Sequence, residues 1–239
     1  MTPQVHLHET PQALAEAFAG HLAARVQAQP GPFHLALSGG STPQLLFSLL
    51  AGPYHARLPW ERLHLWWGDE RCVPPSHPES NYGVADALLI RHVPLPAANV
   101  HRILGEAEPQ DEARRYASEL AAWLPSERGY PVFDLILLGM GADGHTASIF
   151  PHQMELLHAA PACAVGTHPE SGQLRVTFTG PLLNNAREAA FLVTGASKAD
   201  KVAAILGHAP AAQAYPAAHI QPAGGTVAWW LDAEAAARL

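Results

Sequence analysis

The segment Phe133-Asp134-Leu135-Ile136-Leu137-Leu138-Gly139-Met140-Gly141-Ala142-Asp143-Gly144-His145 carries the clearest structural signal in the chain. A short apolar run bounded by glycine has the length of a strand buried on both faces. Three glycines in the next six residues then make a loop with unusual backbone angles. The same grammar recurs upstream. Phe33–Leu37 runs into Ser38-Gly39-Gly40-Ser41-Thr42-Pro43, and Leu63–Trp67 into Gly68-Asp69-Glu70-Arg71. Helical spacing fills the intervals at Thr10–Gln27, Pro43–Leu50, Asn81–Ile90, Glu108–Trp123 and Ser197–Leu206, with Thr10-Pro11 as a helix start. Further strands are expected at Val100–Leu104, Ala162–Gly166, Leu174–Phe178, Ala189–Val193 and Val227–Leu231, with Asp232 capping a last short helix. Gly207–Pro216 reads as a surface connection. Strands alternating with helices predict an α/β fold: one domain over residues 1–239, a mostly parallel open twisted sheet flanked by helices, Rossmann-like in kind.

Composition narrows the function classes. With 14 Lys and Arg against 21 Asp and Glu the formal charge is −7, and the basic residues never cluster. Nucleic acid is therefore not an expected partner, and an anionic ligand needs a local pocket. No stretch reaches the roughly 18–20 apolar residues of a membrane span. The N-terminal stretch Met1–Glu9 lacks a basic segment followed by an apolar run, so no signal peptide is read and the cytoplasm is the expected compartment. Cys72 and Cys163 stand alone, and no zinc-type spacing of Cys and His occurs. His6 and His8 read as surface residues, and Trp66-Trp67 and Trp229-Trp230 as core or pocket wall.

In an open parallel sheet, ligands bind beyond the carboxyl ends of the strands. Three polar loops follow apolar strands directly, which places all three on that edge. Ser38–Pro43 combines two glycines with Ser41 and Thr42 at a helix start, a combination suited to phosphate. It is not a GxxxxGK[ST] loop, and it equally fits a strand-to-helix turn capped by Ser or Thr. In the second loop, Arg71 offers a bidentate fork for an anion and Asp69 an acceptor for sugar hydroxyls. The alternative is a solvated Asp–Arg pair. From the third loop emerge Asp143 and His145, whose imidazole is suited to act as a base near neutral pH. That loop matches part of a dinucleotide fingerprint, Gly-x-Gly-x-x-Gly, but late in the chain and with His next to the last glycine. No G-x-S-x-G elbow or HExxH is present.

These three loops, with Thr146-Ala147-Ser148-Ile149-Phe150-Pro151, Arg175-Val176-Thr177-Phe178-Thr179, Leu183-Asn184-Asn185-Ala186-Arg187 and Gly195-Ala196-Ser197-Lys198, resemble the 6-phosphogluconolactonase family of the glucosamine/galactosamine-6-phosphate isomerase superfamily. The matches keep the family's order and span most of the chain. The resemblance implies a deaminase/lactonase-type fold and a cofactor-free enzyme of the oxidative pentose phosphate pathway. Its substrate would be a phosphorylated sugar lactone, 6-phospho-D-glucono-1,5-lactone, opened by a monomer or small homo-oligomer without metal. His145 would be the general base, and Asp143 would orient it or shape its loop. Gly39, Gly40, Ser41, Thr42, Asp69 and Gly144 would contact substrate, with Arg71, Lys198 and Arg187 as candidate cations for the phosphate. The related glucosamine-6-phosphate deaminases continue their Asp-Gly-His motif with Ile-Ala-Phe-Asn-Glu. Here Thr146-Ala147-Ser148-Ile149-Phe150 lacks that Glu, which favours the lactonase branch. A non-catalytic sugar-phosphate sensor is the other alternative, and the acidic chain speaks against the DNA-binding segment such sensors carry.

Overall fold

The computed structural model describes residues 3–239; Met1 and Thr2, at the head of the N-terminal stretch read above, lie outside the described residues. In chain order the strands are β1 (Gln4–His8), β2 (Phe33–Leu37), β3 (Leu63–Trp67), β4 (Asp69–Arg71), β5 (Val100–His101), β6 (Ser126–Glu127), β7 (Tyr130–Pro131), β8 (Leu135–Leu138), β9 (Cys163–Thr167), β10 (Leu174–Phe178), β11 (Glu188–Val193) and β12 (Thr226–Asp232). The helices are α1 (Pro11–Ala28), α2 (Ser41–Ala51), α3 (Asn81–Leu88), α4 (Pro109–Trp123), α5 (Gly180–Leu183) and α6 (Ala199–Leu206). Thr10 caps α1 as expected, accepting from the Ala13 N–H at 3.1 Å.

Seven strands form one sheet in the order β1-β12-β11-β8-β2-β3-β5, and every neighbouring pair is parallel. Both faces are covered, which is why β2, β3, β8 and β11 are buried along their whole length. One face carries Trp66, Ile136, Phe191 and Trp229; α4 packs over it through Tyr116, and Phe191 stacks on Trp229 with ring centres 4.2 Å apart. The other face carries Leu35, Leu65, Leu137 and Trp230, and α1 covers it by setting the Phe18 ring edge-on to Trp230. His6 and His8 lie on that second face and stack on Trp230, so they are packing residues rather than free surface.

The amino ends of the central strands are tied by backbone-like bonds. Asp134 accepts the His34 N–H at 2.8 Å and donates its own N–H to the His34 carbonyl at 3.1 Å. The Arg187 N–H donates to the Phe133 carbonyl at 2.9 Å. On the first face, several histidines serve structure: Trp66 Nε1 donates to His34 Nδ1, and His64, His101 and Glu119 form a chain of hydrogen bonds. Burial, reinforced by His64 and His101, pulls His34 down to about 4, so it sits in the core uncharged.

Three expectations need correction. The strands at 163–167 and 174–178 do not join the parallel sheet; with β4 they make a separate antiparallel sheet, β4-β10-β9. The link between β9 and β10 is too short for a crossover, so only antiparallel pairing is open to it. Asp69–Arg71 is therefore a short strand rather than a loop, and the chain switches sheets at Gly68, which donates to Leu37 and accepts from Phe178. Asp232 caps no regular helix, since the residues after it form turns; it accepts instead from the Gly195 and Ala235 N–H groups. No helix of the described residues is long and apolar enough to cross a membrane.

Tyr116 joins the layers: its buried hydroxyl accepts the Trp67 N–H at 2.9 Å and donates to the His101 carbonyl at 3.1 Å. Tyr116→Phe leaves a buried N–H without a partner and should cost about 1–3 kcal/mol. Urea unfolding should show a lower midpoint at unchanged slope; an unmoved midpoint would remove the hydroxyl from the account of this packing.

Candidate active site

The strand order places β2 next to β8, although β3 and β5 extend the sheet on one side and β11 and β12 on the other. This is a topological switch point, where the connections leaving two adjacent strands part and open a crevice. The loops that leave here are Ser38–Gly40 and Gly139–His145. They border a cleft of about 280 Å³, which also receives side chains from β4, β10 and the segment after β11.

The β2–α2 loop presents backbone to this cleft. Gly40, at φ 110° and ψ 173°, occupies the N-cap position of α2, and no side chain caps the helix. Ser41 is the first helical residue and not the cap. The first N–H groups of a helix have no partner within it, and Pro43 has no N–H, so the donors at this end are those of Ser41 and Thr42. Gly39 is forced by crowding: a Cβ there would lie 2.1 Å from Asn81 Oδ1. Asn81 is fixed by donating through Nδ2 to the Asp69 carbonyl at 2.9 Å. The Thr42 and Thr194 hydroxyls bond at 2.9 Å, tying the start of α2 to the end of β11.

On β4 the side chains divide their tasks. Buried Glu70 accepts from the N–H groups of Arg71, Asn81 and Tyr82 and from the Ser80 hydroxyl, which places a carboxylate at the start of α3. Asp69 is buried and accepts the Ser148 hydroxyl at 2.7 Å, while the Ser148 N–H donates to Thr177 Oγ1 at 3.0 Å. Arg71 donates to the Glu79 carbonyl, and its Nε is buried without a partner. The alternative reading of this segment, an Asp69–Arg71 ion pair, is not what forms among the described residues.

The glycine loop after β8 folds back on itself. Gly141 donates to the His145 carbonyl at 2.9 Å, Gly144 to the Gly141 carbonyl at 3.0 Å, and the Thr146 hydroxyl to the Gly139 carbonyl at 2.9 Å. Asp143 Oδ1 meets His145 Nδ1 at 2.6 Å and accepts the His145 N–H at 3.1 Å. Partial burial raises the Asp143 carboxyl, but the hydrogen bond and charge of His145 outweigh it and hold it at about 2. An ionised Asp143 accepts a hydrogen bond from Nδ1–H, which leaves Nε2 as the basic ring nitrogen on a cleft-lining side chain. The imidazole also rests on Phe150, ring centres 4.6 Å apart. A Cβ on Gly141 would lie 2.1 Å from His145 Nδ1, so this glycine makes room for the ring.

Two expected residues lie elsewhere. Gly144, at φ 87°, faces Tyr215, where a Cβ would approach to 2.7 Å, and its carbonyl accepts from Ala217. It docks the loop and does not line the cleft. Arg187 precedes β11 and so sits at the amino ends of the strands, with Nε 3.5 Å from Asp134 Oδ1. Of the named cations, Arg71 and Lys198 line the cleft, and the structure adds Arg175, with Asn81 and Thr194. Arg71, Arg175 and Lys198 make no ion pair among the described residues. The signal for Arg175 is the alternation Arg175-Val176-Thr177-Phe178: Val176 and Phe178 are buried in the core, so Arg175 and Thr177 turn to the opposite side.

Residues 8–229 match a family model described as glucosamine-6-phosphate isomerases/6-phosphogluconolactonase. The chain is similar to the 6-phosphogluconolactonase of Haemophilus influenzae, at 50% identity over 209 residues, covering 87% of this chain and 88% of that protein. Among solved structures it is similar to the devB protein, with a TM-score of 0.94, 50% identity and 99% of each chain covered. It is also similar to the 6-phosphogluconolactonase of Trypanosoma brucei, with a TM-score of 0.85, 32% identity and 99% and 98% of the two chains covered.

Gly141→Ala should force the imidazole away from Asp143. Nitrogen NMR of His145 should then lose the signature of an Nδ1–H tautomer bonded to a carboxylate. An unchanged spectrum would show that the loop tolerates the methyl group without moving the ring.

Proposed function

From the family to which the chain belongs, the glucosamine-6-phosphate isomerases and 6-phosphogluconolactonases, we propose that it is a 6-phosphogluconolactonase. In this reading it hydrolyses 6-phospho-D-glucono-1,5-lactone to 6-phosphogluconate, a step of the oxidative pentose phosphate pathway, in the cytoplasm. The observation that carries the reading is one cleft lined by two different kinds of group. One is an imidazole oriented by a carboxylate; the other is an uncapped helix start with unpaired cations.

Lactone opening transfers an acyl group from a ring oxygen to water. Nε2 of His145 takes a proton from a water molecule as its oxygen attacks C1. The Asp143 carboxylate, 2.6 Å from Nδ1, stabilises the imidazolium that results. The tetrahedral oxyanion collapses, the bond from C1 to the ring oxygen breaks, and that oxygen recovers the proton from His145. The phosphate at C6 is held at the other end. The N–H groups of Ser41 and Thr42, the backbone around Gly39 and Gly40, the Ser41 hydroxyl and the charges of Arg71 and Lys198 form its cradle. Asp69, fixed by Ser148, lines the wall between them and serves the sugar hydroxyls. Binding energy gathered at the phosphate orients the distant carbonyl. Arg187 and Gly144 take no part in this scheme, because neither lines the cleft.

His145→Ala should lower kcat by about 10²–10⁴-fold with KM nearly unchanged. Proton release from fresh lactone, corrected for spontaneous hydrolysis, measures it; near-normal turnover removes His145 from the mechanism. Asp143 stays ionised down to about pH 2. Acidification therefore acts on the base and not on Asp143, and kcat should fall as the solution is made acidic. A flat profile would contradict a histidine base. Arg71→Ala should raise KM by about 10- to 100-fold, the worth of a charged hydrogen bond, and an unchanged KM would exclude it from the phosphate.

A further inference from the structure

β4 and β10 run antiparallel in a register that sets Arg175 directly opposite Arg71. Like charges in that arrangement repel. Neither arginine forms an ion pair among the described residues, yet both are held in place. Arg175 Nε donates to Gln173 at 3.3 Å, and its guanidinium carbon lies 5.6 Å from the centre of the Phe150 ring. Arg71 is anchored by the Glu79 carbonyl and keeps a buried Nε–H with nothing to receive it. Two fixed guanidinium groups with unused donors on one cleft wall are complementary to anionic charge that the ligand must bring.

Their anchors point to different ends of the cleft. Glu79 leads into Asn81, which packs against Gly39, so Arg71 belongs to the end with the glycine turn. Phe150, on which Arg175 rests, also touches the His145 ring at 4.6 Å. Arg175 thus belongs to the end where the acyl carbon is placed. We propose that Arg175 is a further catalytic residue, receiving the oxyanion that forms at C1 and then the product carboxylate, while Arg71 holds the phosphate. This inference rests on the lactonase reading.

The electron count places the charge on the carbonyl oxygen of C1. As water loses a proton to His145 and its oxygen bonds to C1, the carbonyl electron pair moves onto the carbonyl oxygen. That oxygen is the anion Arg175 meets. When the bond from C1 to the ring oxygen breaks, its electron pair leaves with the ring oxygen, which takes the proton back from His145. The new carboxylic acid loses its proton to solvent, and the carboxylate faces the same guanidinium. A fork of parallel N–H donors suits both species.

The test compares two ligands of equal length, 6-phosphogluconate and glucitol 6-phosphate, which carries an alcohol at C1 instead of a carboxylate. Titration calorimetry on Arg175→Met should show a loss of about 10- to 100-fold for 6-phosphogluconate. Affinity for glucitol 6-phosphate should stay within about twofold, which also shows that the variant is folded. Arg175→Lys, retaining charge without the fork, should recover part of the loss. Lactone turnover by Arg175→Met should fall by about 10²–10³-fold in kcat with little change in KM. Equal loss for both ligands would assign Arg175 to the phosphate and overturn the proposal, as would no loss for either. If the unmodified protein binds both ligands and Arg175→Met discriminates between them, yet the lactone is not turned over, the lactonase reading fails while the carboxylate site stands.

Discussion

Between β2 and β8 the sheet changes its direction of growth. The chain leaving β2 builds outward to β3 and β5, and the chain leaving β8 builds the other way to β11 and β12. No connection can cross the gap between their carboxyl ends without breaking one of these paths. The gap therefore stays open, walled by the first residues of each departing loop. Both loops are glycine-rich because backbone must approach there: Gly39 touches Asn81 and Gly141 touches His145 at distances that exclude any side chain. The small antiparallel sheet then closes one side, bringing Asp69, Arg71 and Arg175 to the same wall.

Charge is distributed against the global trend. The chain carries a formal −7, yet the cleft gathers three cations that have no carboxylate partners among the described residues. The nearby acids are committed. Glu70 is occupied by three N–H groups and a hydroxyl at the start of α3, Asp69 holds Ser148, and Asp143 holds His145. Each acid has a positioning role, and the basic groups with the helix start supply the positive charge at the glycine turn. An acidic surface with such a pocket concentrates anions in one place rather than over the whole molecule.

Much of this was legible in the sequence because it is local. An apolar run followed by Gly and polar residues announces a strand and the loop at its carboxyl end, and this located Ser38–Thr42, Asp69–Arg71 and Asp143–His145 on one edge. The direction of the chain also explains where Arg187 falls. It precedes its strand, so it must lie at the opposite edge, whereas Lys198 follows the same strand and reaches the cleft. The glycine motif signals the positive φ of Gly144, but its contact with Tyr215 involves a segment about seventy residues later, which no local pattern encodes. Arg175 is visible in the sequence only as part of a motif, because its placement depends on a strand pairing between residues 69–71 and 175–177. Ser148 depends on the same pairing, through Thr177 and Asp69.

The outermost pairing in the large sheet joins β1 to β12, so the earliest strand lies beside the latest. While the polypeptide emerges from a ribosome, Gln4–His8 has no template until Thr226–Asp232 has been made. β11 likewise waits for β12 to cover its flank. The cost of bringing such remote segments together grows only slowly with their separation, but the wait itself is long. During it, an apolar strand flank is available to other chains, the circumstance in which nascent parallel sheets aggregate and holding chaperones engage.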